Sequence, residues 1–251
     1  MKPGLVAVDL KLAMQQVGCP LCRVRDEAEY KYLYFLLHEY VNDGSTRSHI
    51  VASLGFCPRH VWQMGRMESG HFGDALGNGI IYESLAQVVH NRLARYLKRA
   101  ESTQRPARRK RLLQRPRHLP FPDELQPQAA CRVCQSSEQT EQAHLHWLLE
   151  GLADAEPDFR DWYLHSDRLC LRHLRQSLET VEPETEAGAL FLARDALERL
   201  AALRADLEGY VGKHAWDRRD EGMTEGEKNS WLRALRFFGG KERNEDGQRP
   251  G

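Results

Sequence analysis

Apolar side chains recur along this chain at three- and four-residue intervals. In 23–42, Tyr30, Leu33, Leu37, Tyr40 and Val41 fall on one face at helical spacing. The stretch 72–99 continues the pattern through Ile81, Leu85, Val88, Val89, Leu93 and Leu97. In 190–211, Leu190, Leu197, Leu200, Leu203, Leu207 and Val211 repeat it. Shorter helices are predicted from Thr46 to Leu54 and from Pro58 to Met67, with equivalents after Pro157 and Leu171. A last helix is predicted from Glu225 to Phe238, opened by a Thr224/Glu227 capping box and stopped by Gly239-Gly240. Its apolar residues Trp231, Leu232, Leu235 and Phe238 suggest a face folded back on the core. No run alternates as a strand would, so the predicted fold class is all-α.

The pattern occurs twice. Cys19 and Cys22 recur 112 residues later as Cys131 and Cys134, and Cys57 and His60 recur 113 residues later as Cys170 and His173. Phe35-Leu36-Leu37 corresponds to Trp147-Leu148-Leu149, and Arg59 corresponds to Arg172. These offsets predict two tandem helical modules, 1–101 and 129–213. Between them, 102–128 reads as a proline-rich linker with Pro106, Pro116, Pro120, Pro122 and Pro127. Residues 214–240 form a C-terminal segment with the amphipathic helix, and 241–251 a disordered tail.

All six cysteines fall into the repeated Cys-x2-Cys and Cys-x2-His motifs. A two-residue gap lets both side chains of a pair reach one ion, and two pairs complete the tetrahedral shell that zinc prefers. The expected ligand sets are Cys19, Cys22, Cys57 and His60 in the first half, and Cys131, Cys134, Cys170 and His173 in the second. Each would hold one zinc ion, two per chain. Pro20 and Pro58 follow Cys19 and Cys57 where a first helical turn accepts proline, and the helix start favours a thiolate. Gly18 and Gly55 are candidates for left-handed turns, and Arg59 and Arg172 for donors behind the ligands. Redox-active dithiols and an iron–sulfur cluster are the alternatives. The first lacks a preceding strand and leaves Cys57 and His60 without a role; the second does not match the usual cluster spacings. Arg23 and Gln135 stand where covalent haem would need a histidine.

Composition narrows the setting. No stretch has the apolar length of a membrane span, and the first residues do not form a signal-peptide core, so a cytoplasmic, reducing location is expected. Basic and acidic residues balance at 36 each, but 92–118 carries 11 basic and 1 acidic side chains, whereas 119–212 carries 8 and 18. The basic run from Arg105 to Arg117 could follow a nucleic-acid backbone or act as a solvated linker; it has no aromatics for stacking apart from Phe121 at its end.

At these motifs the chain resembles a family of uncharacterised bacterial proteins with tandem CxxC…CxxH halves. The stretches that carry the resemblance are Cys19–Cys22, Tyr32–Leu37, Gly55-Phe56-Cys57-Pro58-Arg59-His60, Ala75-Leu76-Gly77, Ile80-Ile81-Tyr82-Glu83 and the second ligand set. The resemblance implies a shared fold and metal binding, and no established activity. Arg132, Arg168 and Leu171 stand in the second half where the first has Pro20, Gly55 and Pro58.

His38 with Glu39, and His144 with His146, have no counterparts of their type in the other half and read as surface or flanking residues. The chain has no Walker loop, H-E-x-x-H, nucleophile elbow or dinucleotide fingerprint. The expected function is therefore that of a structural zinc protein acting through protein or nucleic-acid contacts. A metalloenzyme or thiol redox protein is the alternative.

Overall fold

The computed structural model describes residues 4–104, 119, 121–154, 157–218 and 220–241. Among them the chain is all-α, with no strand. The helices are α1 (Leu5–Met14), α2 (Pro20–Phe35), α3 (Gly44–Ala52), α4 (Pro58–Met67), α5 (Leu76–Gln104), α6 (Arg132–Ala153), α7 (Pro157–His165), α8 (Leu171–Glu179), α9 (Glu186–Gly212) and α10 (Glu225–Gly239). Leu36–Tyr40 and Glu68–Phe72 continue α2 and α4 as single π-helical turns.

The described residues divide into two compact units. A continuous unit comprises Glu29–Ser136, and a composite unit joins the residues up to Ala28 with those from Ser137 onward. Both unit boundaries fall inside helices. The first half of α2 belongs to the composite unit and its second half to the continuous one; for α6 the order is reversed.

In the continuous unit the core gathers Leu33, Leu36, Ile50, Phe56, Met64, Met67, Ile81 and Val133. Buried Glu68 caps α5, accepting from the backbone N–H of Gly77 and, at 2.8 Å, from that of Asn78. A Cβ on Gly77 would lie 2.7 Å from the Glu68 carboxylate, so the cap requires glycine there. Asp43 performs the same service for α3, accepting from Thr46 N–H at 2.7 Å.

In the composite unit the core is formed by Leu10, Met14, Leu21, Leu145, Leu148, Leu152, Phe159, Tyr163, Leu192 and Phe237, among others. Gly188 lets α9 approach α6 closely, because a Cβ there would run into the Leu149 carbonyl. The Thr224/Glu227 capping box opens α10 as expected. The face that α10 buries differs from the expected one. Glu227, Ser230 and Phe237 point inward, while Trp231, Leu235 and Phe238 are 49–63% exposed. The inward side is polar but paired: Glu227 meets Lys213 at 2.7 Å, and Arg233 is bonded to Asp206. The helix is thus seated by Phe237 in the apolar core, flanked by these pairs, rather than by the stripe that sequence alone favours.

The basic run Arg105–Arg117 and residues 242–251 of the expected tail lie outside the described residues. No helix among the described residues is long and apolar enough to cross a membrane.

Candidate metal centres

Each motif sits at a helix start. Cys57 and Cys170 are the N-cap residues of α4 and α8, both in extended conformation, with His60 and His173 three residues on. Cys19 and Cys131 immediately precede α2 and α6, with Cys22 and Cys134 again three residues on. An N-cap side chain and an N3 side chain face each other across the first helical turn, as in a capping box. Here that geometry converges donor atoms instead of closing a Ser–Glu pair. Gly18 and Gly55, both at φ +97°, turn the chain ahead of Cys19 and Cys57, as the sequence suggested.

The eight side chains gather into two clusters, each with four ligand atoms within 4.8 Å of one another. The grouping corrects the expectation from the repeat. Cys19 and Cys22 join Cys170 and His173, whereas Cys57 and His60 join Cys131 and Cys134. Each Cys-x2-Cys pair therefore meets the Cys-x2-His pair of the other half. The physical reason lies in the unit boundaries: the starts of α2 and α8 belong to the composite unit, and those of α4 and α6 to the continuous one.

In the composite unit, His173 Nδ1 lies 3.2 Å from both Cys19 Sγ and Cys170 Sγ, and 3.5 Å from Cys22 Sγ. Cys22 and Cys170 sulfurs are 3.8 Å apart. In the continuous unit, His60 Nδ1 lies 3.1, 3.5 and 3.4 Å from the sulfurs of Cys57, Cys131 and Cys134, and Cys57 and Cys134 sulfurs are 3.7 Å apart. Among the described residues no cysteine is disulfide-bonded.

Both histidines turn Nε2 toward a buried carboxylate. His173 Nε2 is 3.4 Å from Glu141, and His60 Nε2 is 3.4 Å from Glu29. Arg172 reaches Glu141 at 2.7 Å, and Arg25 joins it at 2.9 Å. Arg59 grips both oxygens of Glu29, one of them at 2.9 Å. The arginines flagged in the sequence thus act behind the histidines through a carboxylate rather than on sulfur. Glu29 and Glu141 were not identified from sequence. They share the 112-residue offset of Cys19 and Cys131, and that repeat was the available signal.

The charges show how such clusters could hold a cation. Burial pushes the Cys19 thiol well above its ordinary value, while hydrogen bonds from Cys19 and Cys22 hold Cys170 at about 3. Burial and the neighbouring Cys131 raise Cys134 to about 12. Burial opposes ionisation of Cys131 too, but the His60 hydrogen bond outweighs it and brings Cys131 to about 6. Negative charge settles on one sulfur of each of these pairs at its neighbour's expense. Ionising the remaining thiols requires positive charge between them. Burial raises the Glu141 carboxyl; His173, Arg172 and Arg25 outweigh it and keep it ionised, at about 2.

The two centres differ in cover. Cys19, Cys170 and His173 are buried, and Gly240 closes over them: a Cβ there would lie 3.0 Å from Cys22 Sγ and 3.6 Å from Cys170 Sγ. Around the other centre, Cys57, Cys131 and Cys134 are all partly exposed. Among the described residues the other histidines join neither centre. His144 Nδ1 contacts the Thr140 carbonyl, exposed His146 lies beside Glu150, and His38 packs on Tyr34 and Phe72.

No solved structure matches this chain. A protein of Caldicellulosiruptor sp. (strain Rt8B.4), described as an uncharacterized 23.9 kDa protein in the xynA 3' region, is 25% identical over 226 residues, covering 89% of this chain and 96% of the relative. The profile of DUF6062, a family of unknown function, matches residues 1–245, and the chain belongs to that family.

Proposed function

We propose that each cluster holds one zinc ion and that the ions are structural, so that the protein works by binding a partner rather than by catalysis. The observation that carries this reading is the donor set, three sulfurs and one imidazole nitrogen converging in each centre. Zinc–sulfur bonds of about 2.3 Å in a tetrahedron place sulfurs roughly 3.8 Å apart. The Cys57–Cys134 and Cys22–Cys170 separations of 3.7 and 3.8 Å agree with that. Thiolate and imidazole suit zinc, not the oxygen-seeking magnesium or calcium. Four protein donors leave no position for a reactive water, which is how structural zinc sites differ from catalytic ones.

Cys57, His60, Cys131 and Cys134 would hold one ion, and Cys19, Cys22, Cys170 and His173 the other. The ions would supply charge neutralisation and pin helix starts together. Glu29 and Glu141 would fix the histidine rings with Nδ1 toward the sulfurs, and Arg59 and Arg172 would hold those carboxylates in place. A reducing cytoplasm would keep the six thiols available. The partner would be a protein or a nucleic acid, the latter engaged through the basic run Arg105–Arg117.

Elemental analysis of the reduced full chain tests the metal assignment, with two zinc equivalents expected. Iron with visible absorption would favour a cluster. A folded, metal-free chain that cycles between dithiol and disulfide would favour redox chemistry. Either result overturns the reading. For the nucleic-acid partner, titration with generic duplex at two salt concentrations is expected to show steeply weaker binding at the higher one. Absence of binding would leave a protein partner.

A further inference from the structure

In the composite unit, a cavity of about 270 Å³ opens beside the buried cysteines Cys19 and Cys170. Four guanidinium groups line it: Arg168 before α8, Arg199 on α9, and Arg233 and Arg236 on α10. One carboxylate, Asp167, lines it with them. Its apolar wall includes Leu169, Leu200 and Phe237.

Arg168 is the unusual member. It adopts φ +61°, a left-handed conformation that a side chain with a Cβ takes up at a steric cost. The corresponding position of the first half is Gly55, at φ +97°, where the conformation is free. The second half therefore keeps a strained arginine at a turn for which glycine is the natural residue. Functional sites are among the places where such strain is found. Arg168 is held by Asp195 at 2.9 Å and by the Leu164 carbonyl at 3.1 Å, yet its Nε is buried without a partner, as is Asp195 Oδ2.

The other arginines are tethered with capacity to spare. Arg199 donates to the carbonyls of Asp167 and Leu169, Arg233 is bonded to Asp206, and Arg236 lies 3.7 Å from Asp167. Besides Asp167, the four guanidiniums stand near the carboxylates of Asp195 and Asp206. Guanidinium forks match planar carboxylates, and the apolar wall matches a hydrocarbon body. Small-molecule sites combine these same elements, an apolar lining with a few convergent polar groups.

We propose that this cavity binds a small monocarboxylate carried on an apolar body. Arg168 and Arg236 engage the carboxylate, and the wall around Phe237 takes the body. The site is distinct from the metal centre, although Cys19 and Cys170 border both.

The test is calorimetric titration of the purified full chain with four probes: benzoate, benzyl alcohol, inorganic phosphate and phenyl phosphate. Benzoate is expected to bind saturably, one per chain. Benzyl alcohol lacks the charge and inorganic phosphate the apolar body, and each is expected to bind at least tenfold more weakly. Phenyl phosphate tighter than benzoate would overturn the carboxylate assignment. Arg236→Gln is expected to weaken benzoate at least tenfold. The double variant Arg168→Gly/Asp195→Asn removes the strained arginine together with its buried partner. It is expected to lose benzoate binding while keeping its helical circular dichroism and its metal content. Saturable benzoate binding of undiminished affinity in both variants, equal binding of benzyl alcohol, or no benzoate binding to the native chain would refute the proposal.

Discussion

At the scale of single residues, the least conspicuous contributors are Glu29 and Glu141. Each is buried beside a histidine and an arginine. Removing the charge of such a carboxylate frees the imidazole to rotate and weakens the ligand; outer partners of this kind typically change metal affinity 10–100-fold. Glu141→Gln is accordingly expected to lose zinc to a competing chelator about 10–100 times more readily than the native chain. An unchanged competition curve would reduce Glu141 to a packing residue. The cysteines and histidines that gather in the two clusters stood out in the sequence, because the Cys-x2-Cys and Cys-x2-His spacings repeat and take up all six cysteines. The two glutamates repeat at the same offset, but carboxylates are common on helix surfaces. Their role emerges only once α2 and α6 place them against His60 and His173.

Among the elements, helix starts do most of the positioning. Four N-termini each bring two donors together, and their partial positive charge favours thiolate there. The sequence exposed two of these starts through Pro20 and Pro58, and that of α10 through the Thr224 box. It misjudged the face of α10, which buries Phe237 and pairs Glu227 with Lys213, while Trp231, Leu235 and Phe238 stay exposed. The π-helical turns gave no sequence signal, although the Glu68 that opens one of them explains Gly77. Two expectations belong at this scale. Thr224→Ala removes one arm of the capping box and is expected to cost about 1 kcal/mol in chemical denaturation. Gly240→Ala places a methyl against Cys22 and Cys170 in a left-handed conformation. It is expected to open the covered centre, seen as faster thiol labelling of Cys22. Labelling at the native rate would show that Gly240 merely ends the helix.

For the whole molecule, the unequal cover of the centres gives an order of events. Thiols at Cys57, Cys131 and Cys134 are more exposed than those at Cys19 and Cys170. A chelator is therefore expected to strip the continuous unit's centre first, with residue-resolved labelling showing Cys57, Cys131 and Cys134 ahead of Cys19 and Cys170. Simultaneous release would contradict that order. The exchange of ligand pairs between halves was beyond the reach of sequence. Local spacing is identical whichever Cys-x2-His pair a Cys-x2-Cys pair meets, and only the path of α2 and α6 through the two units decides it. A structural metal would contribute its binding energy to folding, and each unit would then depend on side chains from both halves of the chain.

The most direct test of that exchange is zinc content in two double variants after treatment with a mild chelator. Cys22→Ser/Cys170→Ser removes two ligands from one centre and is expected to retain one zinc equivalent per chain. Cys22→Ser/Cys57→Ser damages both centres and is expected to retain none. The opposite result, one equivalent in the second variant and none in the first, would show that each half closes its own site and would contradict the account.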